Sequence, residues 1–170
     1  EDAIVALRLA ETLDDAEILC FALNVVGIVF WLCRQPDRAI EFCSRAVRLA
    51  RRIGDPGVLS LWLVYLGGAQ AELAYIARDR GDGAIFERAM QTAIALTEEA
   101  ERMAAANGDP WALRLCLGNL AEYRVARGEY RDAKALLDRY AAIVGGDHKR
   151  SQEHYLYTLG QTLAHLDRLD

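Results

Sequence analysis

Residues 39–56, AIEFCSRAVRLARRIGDP, return 54 positions later, without a gap, as AIALTEEAERMAAANGDP at residues 93–110. The two copies agree at Ala39/Ala93, Ile40/Ile94, Ala46/Ala100, Arg48/Arg102 and Ala50/Ala104. They also share the ending Gly54/Gly108, Asp55/Asp109 and Pro56/Pro110. Moved back by 40, the same stretch sets Ala46, Arg48, Leu49, Ala50 and Asp55 on Ala6, Arg8, Leu9, Ala10 and Asp15. Three copies in phase within 170 residues mark a stack of similar units.

Each copy reads as a helix. Ala39, Cys43, Ala46 and Ala50 recur at i, i+4, i+7 and i+11, one helical face of small side chains that lets a neighbour come close. Gly54 and Gly108 supply the left-handed residue that stops each helix. Asp55 and Asp109 are placed to cap the next one, with Pro56 and Pro110 in its first turn. The periodicity predicts helices near 1–13, 16–33, 37–53, 57–80, 84–107, 110–127, 130–144 and 149–166. A composition 53% hydrophobic and 26% charged is enough to bury a sizeable core.

The helices between the copies carry a second pattern. Leu23, Val26, Gly27 and Phe30 precede Ala39 and Ala46, and Asn119-Leu120-Ala121 precedes Arg127-Gly128-Glu129-Tyr130-Arg131-Asp132-Ala133. Gln35-Pro36-Asp37-Arg38-Ala39 is a poorer copy of that turn, and Leu156, Leu159 and Gly160 open a further unit. These residues resemble the tetratricopeptide repeat over essentially the whole chain. The resemblance implies an all-α fold: a right-handed superhelical array of antiparallel helix pairs, about eight helices, with a concave and a convex face. One domain over 1–170 would hold a half repeat at 1–15, pairs at 16–54, 55–108 and 109–146, and a half repeat at 147–170. The missing initial Met and a pattern still running at Asp170 suggest a piece of a longer protein.

The second pair is long. Gly27 to Ala39 spans 12 residues and Gly67 to Ala93 spans 26, an excess of about four helical turns shared by two helices. One expectation is a protruding hairpin with its tip at Gly81-Asp82-Gly83. Tyr75, Ile76, Phe86 and Met90 would then form a contact surface for a homodimer mate or a linked domain. The other is a longer hairpin packed on its neighbours.

In this family the first helix of each pair lines the concave groove. The resemblance therefore implies groove positions at Phe21, Asn24, Ile28, Trp31 and Leu32, then Leu61, Val64, Gly68, Ala71 and Glu72, then Leu115, Gly118, Glu122 and Val125. An apolar groove suits an amphipathic helix or an apolar peptide as partner. The alternative is that these side chains, and Trp31, Trp62 and Trp111 in particular, are core. The Lys, Arg and Asn set by which some members clamp a terminal carboxylate is missing, since Lys134 and Lys149 lie elsewhere.

Charge and chemistry narrow the function. A net charge of -5 argues against nucleic acid as a partner. Arg45, Arg48 and Arg52 form a basic stripe, with Glu41 placed to pair with Arg45, and Glu98, Glu99 and Glu101 form an acidic counterpart one repeat on. Such stripes serve stacking or solubility. Cys20, Cys33, Cys43 and Cys116 contain no CxxC pair and read as small apolar residues in a reducing, cytoplasmic setting. The apolar run at 18–33 is too short to cross a membrane. His148, His154 and His165 lack the i, i+4 spacing of a helical metal site, and Gly67-Gly68 and Gly145-Gly146 are not phosphate loops. No nucleophile has a positioned base, so no catalytic residue, metal or cofactor is expected. Long second helices ending in Ala-Arg-x-x-Gly-Asp, as at 50–55, look like those of bacterial multidomain signalling proteins. Examples are diguanylate cyclases with a GGDEF domain and large transcriptional activators. That implies a regulatory binding module; a stand-alone adaptor is the alternative.

Overall fold

The computed structural model describes residues 2–143 and 149–167, the side chains of 149–154 excepted. Within them run eight α-helices: α1 (Asp2–Thr12), α2 (Ala16–Leu32), α3 (Pro36–Ile53), α4 (Pro56–Asp79), α5 (Gly83–Ala106), α6 (Pro110–Ala126), α7 (Tyr130–Ile143) and α8 (Lys149–Leu166). The periodicity located every one to within a residue at each end. The fold is an all-α repeat array in which each helix packs on the next.

The repeated aspartates do the same work in each copy. Asp15 Oδ1 accepts from the Glu17 and Ile18 amides at 2.9 and 3.0 Å. Asp55 Oδ1 accepts from Gly57 and Val58 at 2.8 and 3.0 Å. Asp109 Oδ1 accepts from Trp111 and Ala112, both at 3.0 Å. Each satisfies two amides that the first helical turn leaves without a partner. Gly54 and Gly108 sit at φ 83° and 64°, the left-handed region that ends the preceding helix.

Within a pair, the two backbones nearly touch. A Cβ added to Gly27 would stand 2.3 Å from Cys43 Sγ and 3.1 Å from the Cys43 backbone nitrogen. One added to Gly67 would stand 2.6 Å from Thr97 Oγ1 and 3.2 Å from the Ala93 carbonyl oxygen. The stripe Ala39, Cys43, Ala46 and Ala50 is buried to 1% exposure or less.

Between pairs, the two helix types behave differently. The first helices meet directly: α2 packs on α4, α4 on α6, and α6 on α8. The second helices α1, α3, α5 and α7 do not approach one another at the backbone. Long side chains bridge them: Arg45 to Glu11 at 3.5 Å, Arg51 to Glu99 at 2.9 Å, and Arg139 to Glu101. Close packing on one side and side-chain spacers on the other make the α2, α4, α6, α8 side the inner one. Of the basic stripe, Arg45 bridges repeats, taking Glu11 of α1 rather than Glu41; the acidic Glu99 and Glu101 are met by Arg51 and Arg139, which lie off that stripe.

The long second pair is packed, not presented. Phe86 is 9% exposed and Met90 0%, in a cluster with Ala74, Ala89, Leu120 and Tyr123. Tyr75 and Ile76 are half-buried. Tyr75 Oη donates to Glu122 at 2.7 Å, and Arg127 reaches Glu87 at 3.7 Å. The expected contact surface at Tyr75, Ile76, Phe86 and Met90 is therefore corrected. The extra turns carry Ala71, Ala74, Ala77 and Ala89, small residues that seat the two helices on each other and on α6. α4 is long and apolar enough to cross a membrane by length and composition, a match obscured in sequence by Gln70 and Glu72. The share of that span buried in the array is 56%, as in a core helix.

The Gly27–Cys43 seam sets a stability test. Gly27→Ala drives a methyl onto Cys43 Sγ and close to the Cys43 backbone nitrogen, and is expected to lower unfolding free energy by about 1–3 kcal/mol, despite alanine's better helix propensity. Urea titration followed by helical circular dichroism measures it; an unchanged midpoint would show that the pairs are not held by this contact.

Candidate functional site

Among the clefts of the described residues, two hold predicted groove residues of α2 and, in the second, of α6 as well. The first, about 710 Å³, lies between α1, α2 and the start of α4, walled by Ala6, Leu9, Ile18, Phe21, Val58 and Trp62. Its walls are apolar, and Leu9 and Phe21 are 62% and 59% exposed. Phe21 leans on the buried Trp62 ring at 5.7 Å. The second cleft, about 420 Å³, lies along α6 and is lined by Trp31, Trp111, Arg114, Leu115, Asn119 and Glu122, with Tyr140 at its edge.

The groove positions implied by the repeat divide between these places. Trp31, Leu115 and Glu122 come together in the second cleft. The Trp31 indole lies where Gly68 leaves room, its ring carbon 3.2 Å from a notional Cβ. Phe21 belongs to the first cleft. Ile28 and Leu61 are half-buried and line neither. Val64 is 2% exposed and Asn24 0%, so these two are core and not groove. Both turn inward because α4 lies directly on α2. Trp62 is also core, donating from Nε1 to Cys20 Sγ at 3.2 Å.

Arg114, Asn119 and the half-exposed Trp111 were missed as groove residues. Their signal was legible: 111, 114, 115, 118, 119 and 122 are one helical strip at i, i+3, i+4, i+7, i+8 and i+11. Arg114 makes no ion pair among the described residues, which leaves a cation beside two indoles. Glu122 is engaged by Tyr75, so the negative group in this cleft is already held. Burial beside that carboxylate pushes the Tyr75 hydroxyl well above its usual range, and it remains a hydrogen-bond donor.

Burial lowers the reactivity of three of the four cysteines, Cys33 being exposed. The Cys43 and Cys116 thiols are each pushed up to about 12, and Cys20 is raised as well, its desolvation outweighing the Trp62 hydrogen bond. Among the described residues, no three His, Cys, Asp or Glu side chains are placed to hold a metal ion. His148 and the His154 side chain lie outside the described residues, and the His165 ring stacks on Tyr130 at 4.3 Å.

No family model matches the chain, and no curated protein matches it. Among solved structures it is similar to one described as "DHF119 filament", at 19% identity over 98% of this chain and 77% of that one, with a TM-score of 0.41.

Two measurements test this picture. Native-state thiol labelling near neutral pH is expected to modify Cys33, the exposed cysteine, and to reach Cys20, Cys43 and Cys116 only on unfolding. Labelling of all four at equal rates would contradict the packing. Asn24 has neither amide atom partnered, whereas the equivalent position in α4 is Val64. Asn24→Val is therefore expected to raise stability by about 1–3 kcal/mol in urea, the cost of an unpartnered buried amide. A loss would mean the amide is bonded.

Proposed function

We propose that this chain is a non-catalytic tetratricopeptide-type module that holds a short apolar segment of a protein partner in the α6 cleft. The observation that supports this is one cleft lined by Trp31 of α2 and by Trp111 and Arg114 of α6, with Arg114 making no ion pair among the described residues. Flat indoles bury a large apolar side chain at little entropy cost, and such residues concentrate binding energy at interfaces. Asn119 offers both a donor and an acceptor to a peptide main chain. Arg114 favours an acidic residue next to the apolar anchor. In a multidomain signalling protein of the kind the 50–55 motif resembles, such a groove is the input of a regulatory element.

The buried Cys43 and Cys116 thiols, pushed up to about 12, are poor nucleophiles, in keeping with a binding role. A protein whose polar groups are engaged in caps and inter-repeat ion pairs has them committed to shape.

A random peptide library displayed against the purified chain tests the reading. Recovered peptides are expected to share an aromatic or aliphatic anchor beside Asp or Glu. Trp111→Ala should weaken them about tenfold or more, and Arg114→Ala should remove the acidic preference. Trp111 is 51% exposed, so its loss leaves the array intact. Peptides that bind both variants as tightly as the parent would place the site elsewhere.

A further inference from the structure

Four positions hold one residue in all three copies of the repeated stretch: Ala6/Ala46/Ala100, Arg8/Arg48/Arg102, Ala10/Ala50/Ala104 and Asp15/Asp55/Asp109. The array accounts for all but the arginines. The alanines of α3 and α5 are 0% exposed in the packed seams, and the aspartates cap the following helices. Arg8, Arg48 and Arg102 are exposed, and among the described residues none makes an ion pair or a side-chain hydrogen bond. Arg48 and Arg102 lie on interior helices, with further helices of the array before and after them.

The bridges between repeats show where these arginines point. Glu11 of α1 and Arg51 of α3 occupy one repeat position, and Arg45 of α3 and Glu99 of α5 occupy another. Glu11–Arg45 and Arg51–Glu99 are therefore the same bridge with its charges reversed, at 3.5 and 2.9 Å. Arg45 reaches back to α1 and Arg51 reaches forward to α5. Arg48 is midway between them in sequence, and at about 100° per residue it bisects their directions and points straight off the array. Arg8 and Arg102 share its repeat position, so the three form a row over the crests of α1, α3 and α5. The carboxylates nearest to them along each helix are already committed. Glu98 and Glu99, one turn before Arg102, go to Arg124 and Arg51, and Glu11, one turn after Arg8, goes to Arg45. Arg52 stands one turn beyond Arg48, also exposed and also without an ion pair among the described residues. Like charges at that spacing cost helix stability. A chain of net charge -5 thus keeps a row of free cations on its outer side.

We propose that this row is a docking surface for an acidic α-helix of a partner protein, laid across the three crests with a carboxylate on each arginine. Charge complementarity fixes the chemistry, because a guanidinium fork takes a carboxylate through two parallel hydrogen bonds. Spacing fixes the shape. Crests joined by one Arg–Glu bridge stand roughly 10–12 Å apart, one helix diameter, and carboxylates seven residues apart on a helix are separated by about 10 Å. A nucleic-acid strand, with one charge per roughly 3.4 Å, would instead crowd its phosphates against Glu41, Glu98 and Glu99. The row lies on the outer side, away from the α6 cleft, and the inference is independent of the peptide reading.

Fluorescence anisotropy tests it with a labelled, alanine-rich helical peptide that carries Glu at three positions seven apart. The full chain is expected to bind this peptide at about 20 mM salt and to lose it as salt rises and screens exposed charge. Arg48→Gln and Arg102→Gln should each weaken binding about threefold and together about tenfold. Both side chains are exposed, so helical circular dichroism should match the parent. A peptide of the same composition with its glutamates on different faces should bind about tenfold more weakly, since it meets the arginines one at a time. Trp111→Ala should change nothing, which separates failure here from failure of the α6 reading. A probe still unbound at about 1 mM overturns the proposal. So does a probe bound equally by the double variant, or no better than the reordered peptide. Displacement of the peptide by duplex DNA would also overturn it, by assigning the row to phosphate.

Discussion

The array depends on backbone approach at a single recurring point, where a glycine of one helix meets a small residue of its mate. At Gly27 and Gly67 the partner lies nearer than any real Cβ would permit. Interiors pack at near-crystalline density, so a missing side chain here is a fitted surface and not a void. The small stripe on α3 then forms a continuous seam with α2. Because each such seam is local, the structure extends by repetition, and each helix pair is held by its immediate neighbours.

Curvature follows from what happens between the seams. The first helices touch, and the second helices stand apart, joined by Arg45–Glu11, Arg51–Glu99 and Arg139–Glu101. Exposed pairs of this kind contribute about 0–1 kcal/mol each. They are therefore too weak to hold the array together, but their length sets the spacing of the outer side while apolar packing sets the inner. Arg124 is the more buried exception. It reaches Glu98 at 2.9 Å and Glu129 at 2.7 Å, tying α6 to α5 and to the start of α7.

Helix positions were legible in the sequence because their signals are local: an in-phase aspartate, a following proline, a left-handed glycine. Asp15, Asp55 and Asp109 cap alike, and no tertiary information was needed to find them. The site was less legible because exposure is decided between helices. Phe86 and Met90 read as the end of a long hairpin, yet the alanines around them let α6 come close enough to cover both. Asn24 and Val64 occupy equivalent groove positions and are both buried, since α2 and α4 share that flank. Arg114 and Asn119 lie on the same strip as the predicted Leu115, Gly118 and Glu122, and the repeat pattern alone did not extend the groove to them.

Cover by neighbouring helices, then, distinguishes the exposed surfaces from the core, and it differs between equivalent positions of the array. The same residue type at the same repeat position is 7% exposed at Leu49 and 62% exposed at Leu9. Leu23 and Leu156 differ in the same way, 3% against 60%. Nothing in the local sequence separates the members of either couple; among the described residues, what separates them is whether another helix lies on that face. An exposed leucine is ordinary on a protein surface. Leucines whose repeat-mates are core lie around the cleft at α1 and on the face of α8 that carries Gly160. The α6 cleft is different in kind, since its indoles and Arg114 lie on an inner face already flanked by neighbouring helices, and its shape comes from curvature.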